Sequence, residues 1–217
     1  MLSVKHLTFA YTKEYNILNN INFELSDNQT MFIYGEAESG RTSLLRILLG
    51  MEPAFTGEVY YNNLNVNKNI FKTDVSVGFL PQKMACIENK SVYYNLEYVL
   101  KIRKINKALI EVKINNMLKC FGLDRLRDEK MKNLGTFDRL KVAIARLSLR
   151  KLDYIFVDDI FKDLPNSEAK YISDEINKLI KNNEASAIIV SDNLAIADNF
   201  KCKKYKLELG ELNTIEE

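Results

Sequence analysis

The segment Phe32-Ile33-Tyr34-Gly35-Glu36-Ala37-Glu38-Ser39-Gly40-Arg41-Thr42-Ser43-Leu44-Leu45 joins an apolar run to a loop spaced G-x-x-x-x-G-[basic]-[ST], and then to a helix-like apolar stretch. A chain of this kind must place a buried strand, a tight loop and a helix start in immediate succession. In that arrangement the strand is a rigid platform, and the loop and helix start turn backbone N–H groups toward an anion. A basic side chain and a hydroxyl then serve the outer phosphates and Mg²⁺. The expected phosphate-binding residues are Gly35, Glu36, Ala37, Glu38, Ser39, Gly40, Arg41, Thr42 and Ser43. Arg41 stands where this spacing ordinarily carries lysine, and two glutamates sit inside the cradle.

The rest of the chain alternates two kinds of strand pattern with helical ones. Residues 2–9, Ile21–Leu25 and the segment from Gly57 through Tyr61 alternate apolar and polar, as half-buried strands do. Met31–Tyr34, Tyr154–Val157 and Ala187–Val190 are short continuous apolar runs, the mark of strands buried on both faces of a parallel sheet. Between the last two, Ile172, Ile176, Leu179 and Ile180 recur at helical spacing within Ser167–Asn182, after the break at Pro165. Strand, helix, strand of that kind is a βαβ unit. The middle third carries almost no strand signal and reads as helices, with Ile105, Leu109, Val112 and Cys120 on one face of one of them.

Composition narrows the partners. The 31 basic and 29 acidic residues leave a net charge of +2, without the basic excess of a duplex-binding surface, so no nucleic-acid partner is expected. Cys86, Cys120 and Cys202 are far apart and in no metal-like spacing, as reduced thiols of a cytosolic protein would be. No run approaches the roughly 18 apolar residues of a membrane helix, and Met1–Lys5 leads into a strand pattern rather than a signal peptide. The expectation is a soluble, cytoplasmic chain whose membrane connection comes through a partner.

Downstream of the loop, the buried run Tyr154–Val157 ends in Asp158 and Asp159. P-loop ATPases need one carboxylate there for the Mg²⁺ shell and a second to polarise the attacking water. At this point the chain resembles the nucleotide-binding subunit of ABC (ATP-binding cassette) transporters over essentially its whole length. Asn16–Phe23 is similar to that family's opening strand pair, with Tyr11 where an aromatic stacks on adenine. Pro53-Ala54-Phe55-Thr56-Gly57-Glu58-Val59 resembles the segment after the P-loop helix. Val77–Gln82 resembles the loop whose glutamine touches Mg²⁺ and faces the membrane partner, and Lys141–Arg146 the helix after the family signature.

The resemblance implies an α/β fold: a P-loop NTPase (RecA-like) core with an antiparallel β subdomain and an inserted α-helical subdomain. Residues 1–82 and 151–217 would form the core with its β subdomain, and 83–150 the helical part. ATP and Mg²⁺, both weakly held, would be the ligands, with Thr42, Gln82 and Asp158 around the metal.

Several positions depart from the family pattern. Arg41 is longer and planar, unlike a compact ammonium set between two phosphates. The family commonly has glycine at Glu38; Glu36 and Glu38 either turn into the cradle, at a cost of about 3 kcal/mol for a charge about 5 Å away, or turn into water and only decorate the loop. Leu134-Gly135-Thr136-Phe137-Asp138 replaces the signature L-S-G-G-Q, putting bulk and negative charge where backbone must approach phosphate. Asp159 is one methylene shorter than the family's glutamate, a weak catalytic candidate. Lys162-Asp163-Leu164-Pro165 replaces the S-A-L-D loop, and Asp192 occupies the switch position of a histidine, where an anion opposes the transition state.

Because Arg41, Phe137, Asp159 and Asp192 depart together, the reading favoured is an ATP-binding subunit of an ABC transporter with weak or absent hydrolysis. A fully active ATPase and a regulatory or structural pseudo-ATPase without nucleotide binding stay open. The implied partners are integral membrane permease subunits and a second cassette, as homodimer or heterodimer, at the inner face of the cell membrane. The aromatics of Ser91–Leu100 suit either a groove for a short permease helix or the core of the lobe.

Overall fold

The continuous apolar runs form the centre of a six-stranded sheet. A computed structural model of the chain describes residues 1–12, 15–52, 55–65 and 74–215; Pro53 and Ala54 of the expected post-helix segment lie outside them. Strand β8 (Ser186–Ser191) lies between β3 (Thr30–Tyr34) and β7 (Tyr154–Asp158). Beyond β7 is β6 (Val77–Leu80), and beyond β3 is β9 (Lys203–Glu208). All five run parallel, and β10 (Glu211–Thr214) closes the edge as an antiparallel partner of β9. Every residue of β7 and β8 is buried, which is why neither shows polar alternation. In register, Tyr34 faces Ser191 and Asp158 faces Val190. The carboxyl ends of β3, β8 and β7 are therefore level, the place where open α/β sheets bind ligands.

The alternating segments form a second, antiparallel sheet. Its order is β2-β1-β4-β5, built from β1 (Leu2–Phe9), β2 (Leu18–Leu25), β4 (Phe55–Tyr61) and β5 (Leu64–Asn65). Its buried side chains, among them Leu7, Ile21, Val59 and Tyr61, share one core with Phe156 and Ile188 of the parallel sheet. Leu44, Leu45 and Leu48 of helix α1 (Arg41–Leu48) complete that core. Tyr61 is fully buried, and its hydroxyl donates to the Leu48 carbonyl at 3.0 Å, so its polar end is satisfied inside an apolar core.

The chain divides into two compact units. One comprises residues 1–82, 152–162 and 180–217, and the other 83–151 and 163–179. The second unit contains α2 (Val92–Ile102), α3 (Lys107–Cys120), α4 (Thr136–Ser148) and most of α5 (Asn166–Asn183). On α2, Val92, Leu96 and Leu100 are buried while Tyr98 is exposed, so the helical row is lobe core.

The stripe expected on the following helix is not its inward face. Ile110, Ile114 and Leu118 are buried, whereas Leu109, Val112 and Cys120 are exposed and Ile105 precedes the helix. Apolar residues occur on both sides of α3, so periodicity alone did not select the row that packs. In α5, Ile172, Ile176 and Leu179 of the expected row are buried, and Ile180 is half-buried. Among the described residues, no helix is long and apolar enough to cross a membrane.

Candidate functional site

The loop between β3 and α1 owes its shape to two backbone positions. The Gly35 N–H donates to the Ser191 carbonyl at 3.3 Å, tying the loop to the end of β8. A Cβ at Gly35 would stand 2.7 Å from the Leu207 carbonyl oxygen, so a larger residue does not fit. Glu38 has φ +65° and Gly40 φ +96°. The left-handed region costs a non-glycine residue about 1–2 kcal/mol, a physical reason for glycine at the position Glu38 occupies. Leu44 N–H then reaches the Gly40 carbonyl at 2.9 Å and closes the first turn of α1.

Glu36, Ala37 and Glu38 are exposed. The loop borders a pocket of about 820 Å³ that is also lined by Tyr11, Tyr15–Ile17 and Lys206–Gly210, a size usual for small-molecule sites.

Arg41 is turned inward. Its side chain is only 8% exposed, and Nη1 lies 3.7 Å from Asp159 Oδ1, a charge contact outside hydrogen-bond reach. Arg41 Nη1 and Ser39 Oγ are both buried without a hydrogen-bond partner. Two orphaned polar groups beside a helix N-terminus fit an anion such as a polyphosphate, since buried donors are otherwise nearly always satisfied.

The acids lie at the ends of neighbouring strands. Thr42 Oγ1 donates to Asp158 Oδ1 at 3.0 Å. Burial pushes the Asp158 carboxyl above its usual range; the Thr42 bond opposes this, the Asp159 charge adds to it and Arg41 works against it. Asp159 takes φ +50°, donates its N–H to the Val190 carbonyl at 3.0 Å and accepts the Asp192 N–H on Oδ1 at 3.3 Å. The Asp192 carboxylate turns to Lys162, 3.9 Å away.

Thus the structure brings together the loop, Thr42, Asp158, Asp159 and Asp192 at one end of the sheet. Tyr11 is 56% exposed at the pocket, edge-on to Phe9 with centroids 4.7 Å apart, its hydroxyl 3.3 Å from Ser43 Oγ. Gln82 is exposed two residues past the end of β6. Among the described residues no cluster of three or more His, Cys, Asp or Glu exists to hold a metal by itself. Thr42 and Asp158 are the donors a Mg²⁺ ion shared with phosphates would use.

Sequence reasoning did not select Tyr15, Asn16 or the β9–β10 turn, which line the pocket as well. Tyr15, four residues after Tyr11, was a readable signal; the turn carried none, because only strand pairing brings Leu207 beside Gly35.

The expected signature segment lies in the helical unit. Gly135 precedes α4, Phe137 packs edge-on against Tyr171 with centroids 5.4 Å apart, and Lys141 Nζ sits 4.9 Å over the Phe137 ring. Asp138 pairs with Lys141 at 2.7 Å, so both replaced side chains have local partners.

Comparison with known proteins follows the same lines. The ABC transporter family model matches residues 18–162. The lipoprotein-releasing system ATP-binding protein LolD of Francisella tularensis is 29% identical over 224 residues, spanning 99% of this chain and 96% of that protein. The sn-glycerol-3-phosphate import ATP-binding protein UgpC of Bartonella bacilliformis is 27% identical over 205 residues; the match takes in 94% of this chain but only 59% of that protein.

Among solved structures, the ADP- and Pi-bound dimeric ATP-binding cassette MJ0796 superposes with a TM-score of 0.84 at 21% identity, covering all of both chains. The structure of CbiO1 from Clostridium perfringens, part of the ABC transporter complex cbiONQ, matches with a TM-score of 0.83 at 18% identity, over 97% of this chain and 86% of that one. The expected P-loop fold with its antiparallel and helical parts is the observed one, and the chain belongs to the ABC transporter family as an ATP-binding subunit.

Proposed function

We propose that this chain binds ATP weakly and hydrolyses it slowly or not at all, while serving as a cassette subunit that docks on membrane permease subunits. The observation that carries the hydrolysis part is the engagement of Asp159. Its Oδ1 accepts the Asp192 N–H, an engagement that does not depend on Arg41, so the acid at the general-base position is turned toward the protein backbone. A general base must instead reach the proton it removes at hydrogen-bond distance. Asp192 puts a carboxylate at the position where a donor would stabilise charge.

Nucleotide binding is supported by what survives. The ring of Tyr11 offers a face at the pocket mouth, and the first turn of α1 leaves N–H groups without intrahelical partners. Arg41 and Ser39 hold unpaired donors in the cradle. Thr42 and Asp158, already joined by a hydrogen bond, would hold Mg²⁺. When bound, that ion would neutralise charge on the outer phosphates.

A permease partner and a second cassette are supported by the family and by relatives whose names describe import and lipoprotein release. The test is phosphate release by the purified chain with Mg-ATP, alone and with its co-purifying membrane partner. Turnover well under about 1 per second is expected in both cases. Brisk hydrolysis abolished by Asp158→Asn overturns the proposal, and recovery of only soluble partners removes its transporter part.

A further inference from the structure

Two of the departures from the family pattern are neighbours in space. Arg41 and Asp159 are both about nine-tenths buried, 8% and 10% exposed at the side chain, with opposite charges 3.7 Å apart. The guanidinium Nη1 has no hydrogen-bond partner, so it is held by the carboxylate's charge without being satisfied by it. Asp159 is held in place by the rest of the site. Its backbone takes φ +50°, its N–H is fixed to Val190, and its Oδ1 also receives the Asp192 N–H. The flexible member is the arginine, whose long side chain leaves α1 at the entrance to the phosphate cradle.

We propose that Asp159 is an internal stand-in for phosphate: it holds Arg41 in the nucleotide-free chain, and a nucleotide binds by taking the guanidinium away from it. This rests on the nucleotide-binding reading above and adds a positioning role for Asp159 that is distinct from general-base catalysis. Arg41 and Asp159 then form a matched pair, with the ligand's outer phosphate competing directly against a carboxylate for one cation. An arginine suits this exchange because its fork of N–H donors matches the geometry of both carboxylate and phosphate. Asp192 contributes by donating to Asp159 through its backbone and by turning its own carboxylate to Lys162, away from the pair.

The test uses ADP, which has no γ-phosphate to hydrolyse, so affinity is not confounded by turnover. The wild-type chain, Asp159→Asn and Asp159→Glu are titrated with Mg-ADP by calorimetry. Asp159→Asn should bind about tenfold tighter, since a competing charge at this distance is removed. Asp159→Glu, which keeps a carboxylate for Arg41, should stay within about twofold of wild type.

A double-mutant cycle of Asp159→Asn with Arg41→Gln, read by thermal unfolding, separates exchange from a permanent structural pair. Coupling should be measurable without nucleotide and vanish at saturating ADP. Equal ADP affinity in wild type and Asp159→Asn, or coupling that persists at saturation, overturns the exchange while leaving nucleotide binding intact. Absence of ADP binding in all three chains overturns the nucleotide reading and the exchange with it.

Discussion

The hydroxyl of Thr42 donates to Oδ1 of Asp158 at 3.0 Å, joining the first turn of α1 to the last residue of β7. Despite that bond, burial holds the Asp158 carboxyl above its ordinary range. Ionisation therefore costs more in the folded chain than in the unfolded one. The sign follows from linkage: the group's contribution is most favourable below the ordinary carboxylate value and declines as pH rises through the raised folded-state value. Asp158→Asn, neutral throughout and still able to accept from Thr42, should raise the nucleotide-free melting temperature at neutral pH. The excess should shrink on acidification. Each kcal/mol regained would read as about 2–4 °C in calorimetry, and a pH-independent difference would show that the carboxylate is not the cause.

Glu38 combines an exposed side chain with φ +65°. Glu38→Gly removes the left-handed strain but adds chain entropy to the unfolded state, leaving a gain of about 0.5–1 kcal/mol. Because the carboxylate is in water, its loss should change ATP affinity by less than about threefold at physiological salt. Chemical denaturation and a calorimetric titration of the same variant check both halves.

Asn95 is completely buried in the helical unit. Its side chain accepts the Ile87 N–H at 2.8 Å and donates to the carbonyls of Ser91 and Ile87, at 2.9 and 3.2 Å. One amide thus ties the segment before α2 to the helix. Asn95→Ala leaves the Ile87 N–H without its acceptor, while the Ile87 and Ser91 carbonyls keep the N–H groups of Lys90 and Asn95, and should cost about 1–3 kcal/mol in urea unfolding.

Tyr61→Phe isolates one buried hydrogen bond at constant ring volume. The hydroxyl's acceptor is the Leu48 carbonyl at the end of α1. A loss of about 1–2 kcal/mol is expected, with the denaturant slope unchanged.

The contrast between Arg41 and Glu38 shows how much of the site was legible in the chain. Both were identified from loop spacing as departures inside a phosphate cradle. Spacing does not state direction: Glu38 turns to solvent, while Arg41 turns inward to a carboxylate on a distant strand. The same holds for Phe137 and Asp138, whose bulk and charge were evident but whose partners Tyr171 and Lys141 were not. On α3 the apolar content was visible, yet Ile110, Ile114 and Leu118 were chosen over Leu109 and Val112 by what packs against the helix.

By itself the sequence determined the loop, its family and which segments are buried strands, because these depend on local spacing and on the continuous apolar runs that a parallel sheet requires. Only the tertiary structure decided that β8 lies between β3 and β7. That placement sets Ser191 against Gly35 and Asp192 against Asp159, and so brings Arg41, Thr42, Asp158 and Asp159 to one sheet end. The physical reason is that charge pairing depends on distances of a few ångströms between residues far apart in the chain, which no local pattern encodes.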